Sequence, residues 1–258
     1  MDALVGDIGN TVTKVGIINI KNYKLKKVVY FSSYKINSRN FLKKILQKTI
    51  RKSNIYKIAL FSCVVPKYQF KLKSFLAKSY KVKFKEIKDK DIKKIVKINI
   101  KNKNQVGSDR IANAVGVYRK YKSNCIVLDF GTATTFDVIT KNGFYNGGII
   151  APGVNLSLKS LIKSADQIPI FSLKKQKLVI GKNTIEALRS GFYWGYTGLI
   201  NNIISKIEKE TKKKFKIIFT GGYADLFKTS IINSFKVDKN ITIKGIIEIF
   251  KENKKDFN

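Results

Sequence analysis

Histidine is absent from this 258-residue sequence, and its absence excludes several kinds of catalytic site. Ser-His-Asp triads, Cys-His dyads and histidine-rich zinc sites all require an imidazole group. Acid–base chemistry must therefore come from Asp, Glu, Lys, Tyr or Cys side chains, and carboxylates are the leading candidates.

Cysteine is also scarce, with only Cys63 and Cys125 in the chain. Both lie in apolar, strand-like runs outside any metal-binding spacing, so we expect two buried free thiols in a reducing compartment. The first residues lack the basic region and cleavage site of a signal peptide. No apolar run reaches the roughly 18 residues that a transmembrane helix needs. The sequence therefore predicts a cytoplasmic protein with no membrane partner.

Acidic residues are few: 17 Asp and Glu stand against 52 Lys and Arg, which gives a formal net charge of +35. Such a charge raises the possibility of nucleic acid or an anionic membrane as a partner. Only five of the basic residues are arginine, the type preferred for bidentate base and phosphate recognition. The lysines are dispersed along the chain, which favours solvated surface charge over a nucleic-acid footprint. Nucleic-acid binding remains an alternative that predicts salt-sensitive binding.

The order of predicted elements repeats itself along the chain. A strand enters an Asp-x-Gly-x-Thr turn and a second strand returns, first around Asp7 and again around Asp129. This repetition predicts an internal duplication, with two similar α/β domains over residues 1–113 and 114–258. Helical spacing is found at Phe41–Arg51, Ile111–Tyr121 and Ile185–Lys209, whereas Lys97–Asn104 has the character of a loop.

The two acidic turns have the residues that a polyphosphate site needs. Gly9 allows a sharp turn, and the backbone amides of Gly9, Asn10 and Thr11 can form an anion-binding concavity. A carboxylate such as Asp7 beside a phosphate is reasonable when Mg²⁺ lies between them. Asp129 supplies the second acid, followed by the hydroxyl groups of its own turn, Thr132, Thr134 and Thr135.

A single turn of this kind is equally well explained by ordinary hairpin chemistry, but two copies in matching contexts are more specific. A third glycine motif, Thr220-Gly221-Gly222, follows an apolar strand. It either lies under an adenine or ribose, or is an ordinary strand-to-helix turn.

Five segments, taken in order, resemble type III pantothenate kinase, of the acetate kinase/sugar kinase/Hsp70/actin superfamily. They are Asp7-Ile8-Gly9-Asn10-Thr11, Gly107-Ser108-Asp109-Arg110, Asp129 to Asp137, Gly147 to Gly153, and Thr220-Gly221-Gly222. The resemblance implies an α/β fold of two ribonuclease-H-like domains with an ATP cleft between them, and a homodimer. It implies phosphorylation of pantothenate at its 4′-hydroxyl, the first step of coenzyme A biosynthesis, with Mg²⁺ and a monovalent cation, K⁺ or NH₄⁺.

The resemblance also implies a role for individual residues. Asp109 would be the catalytic base, Asp129 would bind the monovalent cation, and Asp7 would meet Mg²⁺ through phosphates or water. The ATP-binding residues would be Asp7, Ile8, Gly9, Asn10, Thr11, Val12, Thr13, Lys14, Thr132, Gly221 and Gly222. The pantothenate-binding residues would be Ile100, Gly107, Ser108, Asp109, Arg110 and Thr184.

Several of these residues have a second interpretation. Asp109 and Arg110 also suit a helix N-terminus with a solvated arginine, and Thr184 also suits an N-cap. Two segments depart from the family: Ile100-Lys101-Asn102-Lys103 stands where Tyr-Asp-Asn-Pro is usual, and Ser108 stands where Ala is usual. A non-catalytic accessory homologue is a further alternative, and the retained Asp7, Asp109, Arg110, Asp129 and Thr132 argue against it.

Overall fold

The computed structural model describes residues 1–48, 55–165, 168–228 and 235–257. Contacts between Cα atoms divide the chain into two compact units. The first contains Met1–Lys122, Gly143–Tyr145 and Asn240–Asn258, and the second contains Ser123–Asn142 and Asn146–Lys239.

A five-stranded mixed sheet forms the centre of the first unit, in the order β3-β2-β1-β4-β5. Its strands are β1 (Asp2–Ile8), β2 (Val12–Asn19), β3 (Leu25–Ser32), β4 (Ile58–Cys63) and β5 (Lys83–Glu86). The first three are antiparallel neighbours, whereas β4 runs parallel to β1 and β5 parallel to β4. The unit's helices are α1 (Arg39–Gln47), α2 (Pro66–Tyr80), α3 (Ser108–Tyr121) and α7 (Ile241–Glu252).

Apolar side chains bury both faces of this sheet. Leu42, Leu72 and Phe75 of α1 and α2 join the strand residues of one core cluster. Helices α3 and α7 pack closely on each other, because a Cβ atom at Gly116 would come within 2.5 Å of the Ile241 carbonyl oxygen, and one at Gly245 would collide with the Ala112 carbonyl. The two helices thus touch backbone to backbone.

The second unit is built around strands that repeat the first sheet's order. They are β7 (Cys125–Phe130), β8 (Ala133–Ile139), β9 (Phe144–Pro152), β10 (Lys216–Gly221) and β11 (Phe235–Val237). Reading β9-β8-β7-β10-β11 matches β3-β2-β1-β4-β5, with an antiparallel hairpin followed by two parallel neighbours. Its helices are α4 (Val154–Ser164), α5 (Thr184–Thr211) and α6 (Ala224–Phe227). The predicted duplication is present in the topology of the two sheets.

Three details differ from the sequence-based expectations. The boundary expected between residues 113 and 114 falls inside α3, and the C-terminal α7 returns to the first unit because it packs on α3. The stretch 97–104, expected to be a loop, contains β6 (Lys97–Ile98), which pairs with the start of β9. Helix α1 covers Arg39–Gln47, and residues 49–51 of that predicted helix lie outside the described residues.

Within the described part of the chain, none of the helices combines the length and the apolar character needed to cross a bilayer.

Candidate functional site

The Asp7 turn lies at the end of β1, in the middle of the first sheet. Asp7 is 7% exposed, and Ser62 on the adjacent β4 donates a hydrogen bond from its Oγ to Asp7 Oδ1 at 2.8 Å. The strand register places Ser62 beside Asp7 on one side and Lys14 on the other. In-register neighbours point to the same face of a sheet, so the carboxylate lies between a hydroxyl and a lysine.

Ser33 braces the turn from outside the motif. Its Oγ donates to the Gly9 carbonyl at 2.6 Å and its backbone amide donates to the Thr11 carbonyl at 2.9 Å. Because the Ser33 hydroxyl has one proton, the 2.9 Å contact with Thr13 Oγ1 has Thr13 as the donor. The turn is therefore fixed by its backbone, while the side chains of Asn10 and Thr11 remain exposed.

The Gly107–Arg110 motif begins α3, directly beside the end of β4. Ser108 Oγ accepts a hydrogen bond from the Cys63 amide at 2.8 Å and donates to the Cys63 carbonyl at 2.9 Å. Asp109 is half-buried in the first turn of the helix, and its Oδ1 accepts from the Arg110 amide at 2.8 Å. A Cβ atom on Gly107 would lie 2.4 Å from Asp109 Oδ1, so a side chain at this position would displace the carboxylate.

An aromatic ring supports Arg110. The guanidinium carbon lies 5.8 Å from the centre of the Tyr145 ring, a cation–π arrangement, and Tyr145 is 2% exposed. The Tyr145 carbonyl accepts a hydrogen bond from the Asn99 amide at 2.9 Å, next to the half-buried Ile100. Tyr145 thus links the arginine to the segment that carries Ile100.

The neighbouring thiol is not a competing nucleophile. Burial raises the pKa of Cys63 to about 11, and the carboxylates of Glu86 and Asp7 add to the rise. A thiol with this pKa is almost entirely protonated at neutral pH, and the thiolate is the reactive form. Cys63 is therefore not a nucleophile of this region at neutral pH.

The Asp129 turn of the second unit is packed against two glycine motifs. Its backbone is closed by a hydrogen bond from the Gly131 amide to the Ala133 carbonyl at 3.1 Å. Gly221, with φ +84°, lies so close that an added Cβ would be 2.6 Å from the Phe130 backbone and 2.7 Å from Asp129 Oδ1. Gly153 approaches the Thr132 carbonyl in the same way. Asp129, Thr132, Gly221 and Gly222 are thus brought together.

Thr184 lies apart from that turn, at the first residue of α5. The cap predicted for Thr184 is wrong: Asn183 is the N-cap, and its side chain accepts from the Glu186 amide at 2.9 Å. Asn183 lies just before the first helical residue and has the extended backbone that is typical of an N-cap. Thr184 lines a cavity of about 570 Å³ between α4 and α5, whose other lining residues include Leu161, Phe192 and Leu199.

The predicted residues therefore fall into three groups. The first unit holds the Asp7–Lys14 turn, Gly107–Arg110 and Ile100, and the second holds the Asp129 group and, separately, Thr184. Ser33, Ser62 and Tyr145 contact the first group and were missed by the sequence analysis. The position of Ser62 depends on strand register, which no local pattern in the sequence indicates.

Comparisons with known proteins decide the family. The family model for type III pantothenate kinase matches residues 3–206. A type III pantothenate kinase of Pelagibacter ubique is 51% identical to this chain over 244 residues. The aligned residues cover 95% of this chain and 96% of the Pelagibacter protein. The chain belongs to the type III pantothenate kinase family.

Two solved structures share the fold of this pantothenate kinase. A Campylobacter jejuni protein assigned to the Baf transcriptional activator family has a TM-score of 0.62 at 21% identity, covering 98% of this chain and 99% of its own. Lmo2764 of Listeria monocytogenes, assigned as an N-acetylmannosamine kinase, has a TM-score of 0.52 at 10% identity, covering 98% and 100%. At such identities the likeness carries the fold alone, and it confirms the predicted α/β class.

Family membership makes this protein a kinase that transfers phosphate from ATP to pantothenate, in coenzyme A biosynthesis. The predicted family and activity are therefore confirmed. The comparisons give no support to an accessory homologue or a nucleic-acid-binding protein.

The paired glycines of the pantothenate kinase allow a matched test of the second turn. We expect Gly221→Ala to lower the free energy of unfolding by roughly 2–4 kcal/mol, because it combines a left-handed φ with a backbone collision. Gly222→Ala should change it by less than about 0.5 kcal/mol, since its nearest atom would be 3.9 Å away. Urea unfolding followed by fluorescence of Trp194, the single tryptophan, reports on this unit. An equal loss of unfolding free energy in Gly221→Ala and Gly222→Ala would contradict the close packing of Gly221 on Phe130.

Proposed function

We propose that this kinase phosphorylates the 4′-hydroxyl of pantothenate with Asp109 as the base, while the turn from Asp7 to Lys14 holds the ATP phosphates. The observation that carries the proposal is the junction of β1 and β4. Ser62 binds Asp7, and Ser108, the neighbour of Asp109, binds the adjacent Cys63. The phosphate turn and the base are thus attached to neighbouring strand ends.

Asp109 is proposed to carry out a single proton transfer. It accepts the proton of the substrate hydroxyl as the oxygen attacks the γ-phosphorus, and no histidine is available for that task. Most of the rate in phosphoryl transfer comes from positioning and charge stabilisation. Arg110, held over Tyr145, is suited to bind an anion, either the pantothenate carboxylate or a phosphate.

ATP contacts are proposed for residues of each unit. In the first unit, the exposed Asn10 and Thr11 of the braced turn are available to phosphate oxygens. In the second unit, Thr132 and the Gly221–Gly222 pair lie beside Asp129 and are proposed to contact the nucleotide. The packing of Gly221 on Phe130 would also occur in an ordinary strand-to-helix turn. The role proposed for Gly221 in ATP binding therefore rests on the family resemblance.

The residues present suit Mg²⁺ held mainly by phosphates and water. No cluster of three or more Cys, Asp and Glu side chains that would enclose a metal occurs among the described residues. Mg²⁺ usually takes only one or two carboxylates, and Asp7 would meet it through phosphates or water. The ion, when bound, neutralises charge that develops on the transferred phosphoryl group.

The Asp129 region suits a monovalent cation, K⁺ or NH₄⁺. Thr220 lies in register beside Asp129 on β10, so both side chains point to the same face of the sheet. The Thr220 hydroxyl is buried, and no described residue gives its Oγ1 a hydrogen-bond partner. A buried hydroxyl without such a partner costs about 1–3 kcal/mol, so a cation bound between Asp129 and Thr220 would offset that cost.

We include a homodimer in the proposal, formed through the outer face of α5. Gly191, Gly195 and Gly198 lie on this face, and a Cβ atom at any of them would meet no atom of the described chain. The second unit also exposes several apolar side chains, of which Leu161 lines the α4–α5 cavity: Ile150, Leu156, Leu161, Ile170, Leu178, Val179 and Ile180. An apolar surface of this kind is typical of an interface, and a two-fold axis lets it cover itself.

The location and the substrate pocket complete the proposal. Cys63 and Cys125 are both free thiols, which suits the reducing cytoplasm. Thr184, exposed at the rim of the α4–α5 cavity, is proposed to contact pantothenate.

A coupled kinase assay tests the substrate and the cations. We expect turnover of pantothenate that requires ATP and Mg²⁺ and that is largely lost when Na⁺ replaces K⁺, because the smaller ion fits the Asp129 oxygen site poorly. Equal rates in Na⁺ and K⁺ would remove the monovalent cation from the proposal. Turnover of another alcohol, but not of pantothenate, would remove the substrate.

Asp109→Asn tests the base. We expect kcat to fall by roughly 10²–10⁴-fold, the usual contribution of a general base, while ATP binding measured by calorimetry is retained. Asp91→Asn, at an exposed site in the same unit, is the matched control and should leave kcat unchanged. A near-normal kcat in Asp109→Asn would exclude Asp109 as the base.

Gly195→Glu tests the dimer. A charge buried in the proposed interface should raise the dimer dissociation constant by at least about 100-fold, measured by sedimentation equilibrium. Phe70→Glu introduces the same charge at a side chain 74% exposed on α2 and should leave the oligomeric state unchanged. A dimer that survives Gly195→Glu would exclude this face.

A further inference from the structure

A buried carboxylate that belongs to none of the site motifs lies behind the start of α3. Glu86, the last residue of β5, is 8% exposed. Its Oε2 accepts a hydrogen bond from the Lys88 amide at 2.6 Å, whereas no described residue provides a hydrogen-bond partner for Oε1. A buried acid with an unsatisfied oxygen destabilises the fold, so folding alone does not explain its presence.

Glu86 lies close to the residues that join β4 to α3. Burial raises the pKa of Glu86, and the hydrogen bond from the Lys88 amide opposes the rise. Strand register places Glu86 beside Phe61 of β4, two residues before Cys63, and Cys63 exchanges two hydrogen bonds with Ser108.

The contacts continue from Ser108 to Asp7. Ser108 Oγ lies 3.4 Å from Ser62 Oγ, and Ser62 uses its single proton to bind Asp7. Ser108 therefore lies against Ser62, whose hydroxyl binds the carboxylate of the phosphate turn, and Glu86 flanks both from the neighbouring strand β5.

The N-cap residue of α3 is Gly107, which has no side chain to accept from the helix amides, and Asp109 is the one acid of the first turn. The first turn of a helix carries a partial positive charge, and nearby carboxylates stabilise it. Glu86 adds a second carboxylate from another element of the fold, because Ile87–Asp89, the residues that follow it directly, contact α3.

We propose that Glu86 and Ser108 are positioning residues that fix the start of α3 on β4 and so hold Asp109 in a set position relative to Asp7. Ser108 is 1% exposed and is bound to Cys63, so in this assignment it acts through α3 and β4 and is not the pantothenate contact that the resemblance implies. The buried Glu86 likewise does not touch substrate. The inference rests on the proposed function, in which Asp109 is the base. Its effect is on the chemical step, because displacement of a catalytic group by about 1 Å can cost up to 10²-fold in rate.

The test uses Ser108→Ala, Glu86→Gln and the double variant of the full chain in the pantothenate assay. We expect each single substitution to lower kcat roughly tenfold, with KM for ATP changed by less than about twofold. ATP affinity should persist because Ser33 braces the phosphate turn independently of Glu86 and Ser108. The double variant should lose about as much as either single one, since residues that act as a unit are not additive.

Two matched controls accompany these variants. Ser38→Ala removes a serine hydroxyl that accepts from the Phe41 amide at 3.2 Å, at the start of α1. Asp89→Asn removes an exposed negative charge from the turn that follows Glu86. Both should retain the kcat of the unmodified enzyme.

Hydrogen exchange gives a readout that does not depend on activity. Amides 107–111 should exchange faster in Ser108→Ala and Glu86→Gln than in the unmodified chain, and at unchanged rates in the two controls. Unchanged exchange at 107–111 would overturn the proposal, even in a protein that does not turn over pantothenate. A kcat within about twofold of that of the unmodified enzyme in both Ser108→Ala and Glu86→Gln would also overturn the proposal. An equal loss of kcat in the two control variants would do the same.

Asp109→Asn in the same experiment separates this inference from the proposed function. If Asp109→Asn is inactive and Ser108→Ala is fully active, the positioning role fails while the base assignment stands. If Asp109→Asn is active but Ser108→Ala and Glu86→Gln lose kcat and exchange faster, the base assignment fails and the bracing of α3 stands.

Discussion

The hydrogen bond from Ser62 to Asp7 is the contact on which the first half of the site depends. It joins the ends of β1 and β4, the two parallel strands at the centre of the first sheet. The strand β1 leads into the phosphate turn, and β4 anchors the helix that carries Asp109. One buried contact therefore relates the turn proposed to hold phosphate to the helix that carries the proposed base. A buried carboxylate needs such a donor, so the same bond stabilises the fold and orders the site.

The second sheet repeats this arrangement with one change. Asp129 and Thr220 occupy the same relative positions on β7 and β10 as Asp7 and Ser62 on β1 and β4. Ser62 donates to its acid, but Thr220 Oγ1 has no hydrogen-bond partner among the described residues. The duplication therefore gives two similar acidic turns that differ in how the neighbouring hydroxyl is satisfied. This difference is consistent with the separate roles proposed for the turns, the first for phosphate with Mg²⁺ and the second for a monovalent cation.

Local chemistry explains why the two turns could be predicted. Glycine, asparagine and threonine after an apolar strand limit the backbone to a few turns, and each such pattern is visible within about ten residues. The bracing residues could not be found in this way. Ser62 reaches the Asp7 turn through strand pairing, and Ser33 reaches it from the turn that follows β3. Glu86 is brought to the region by the pairing of β5 with β4. The domain boundary was missed for a similar reason, because α7 returns to α3 from the far end of the chain.

The distribution of charge also separates general effects from local ones. Acidic residues are scarce, yet Asp7, Glu86, Asp137 and Asp238 are buried, whereas no lysine or arginine is buried among the described residues. The lysines on the surface create a positive field that attracts ATP and pantothenate, both of which are anions. That field is screened over about 8–10 Å in physiological salt, so it cannot distinguish one carboxylate from another. The different tasks proposed for them must come from short contacts: Ser62 for Asp7, the Lys88 amide for Glu86, and the Arg110 amide for Asp109. In a chain without histidine, such hydrogen bonds are the means by which chemically equivalent carboxylates would acquire these proposed roles.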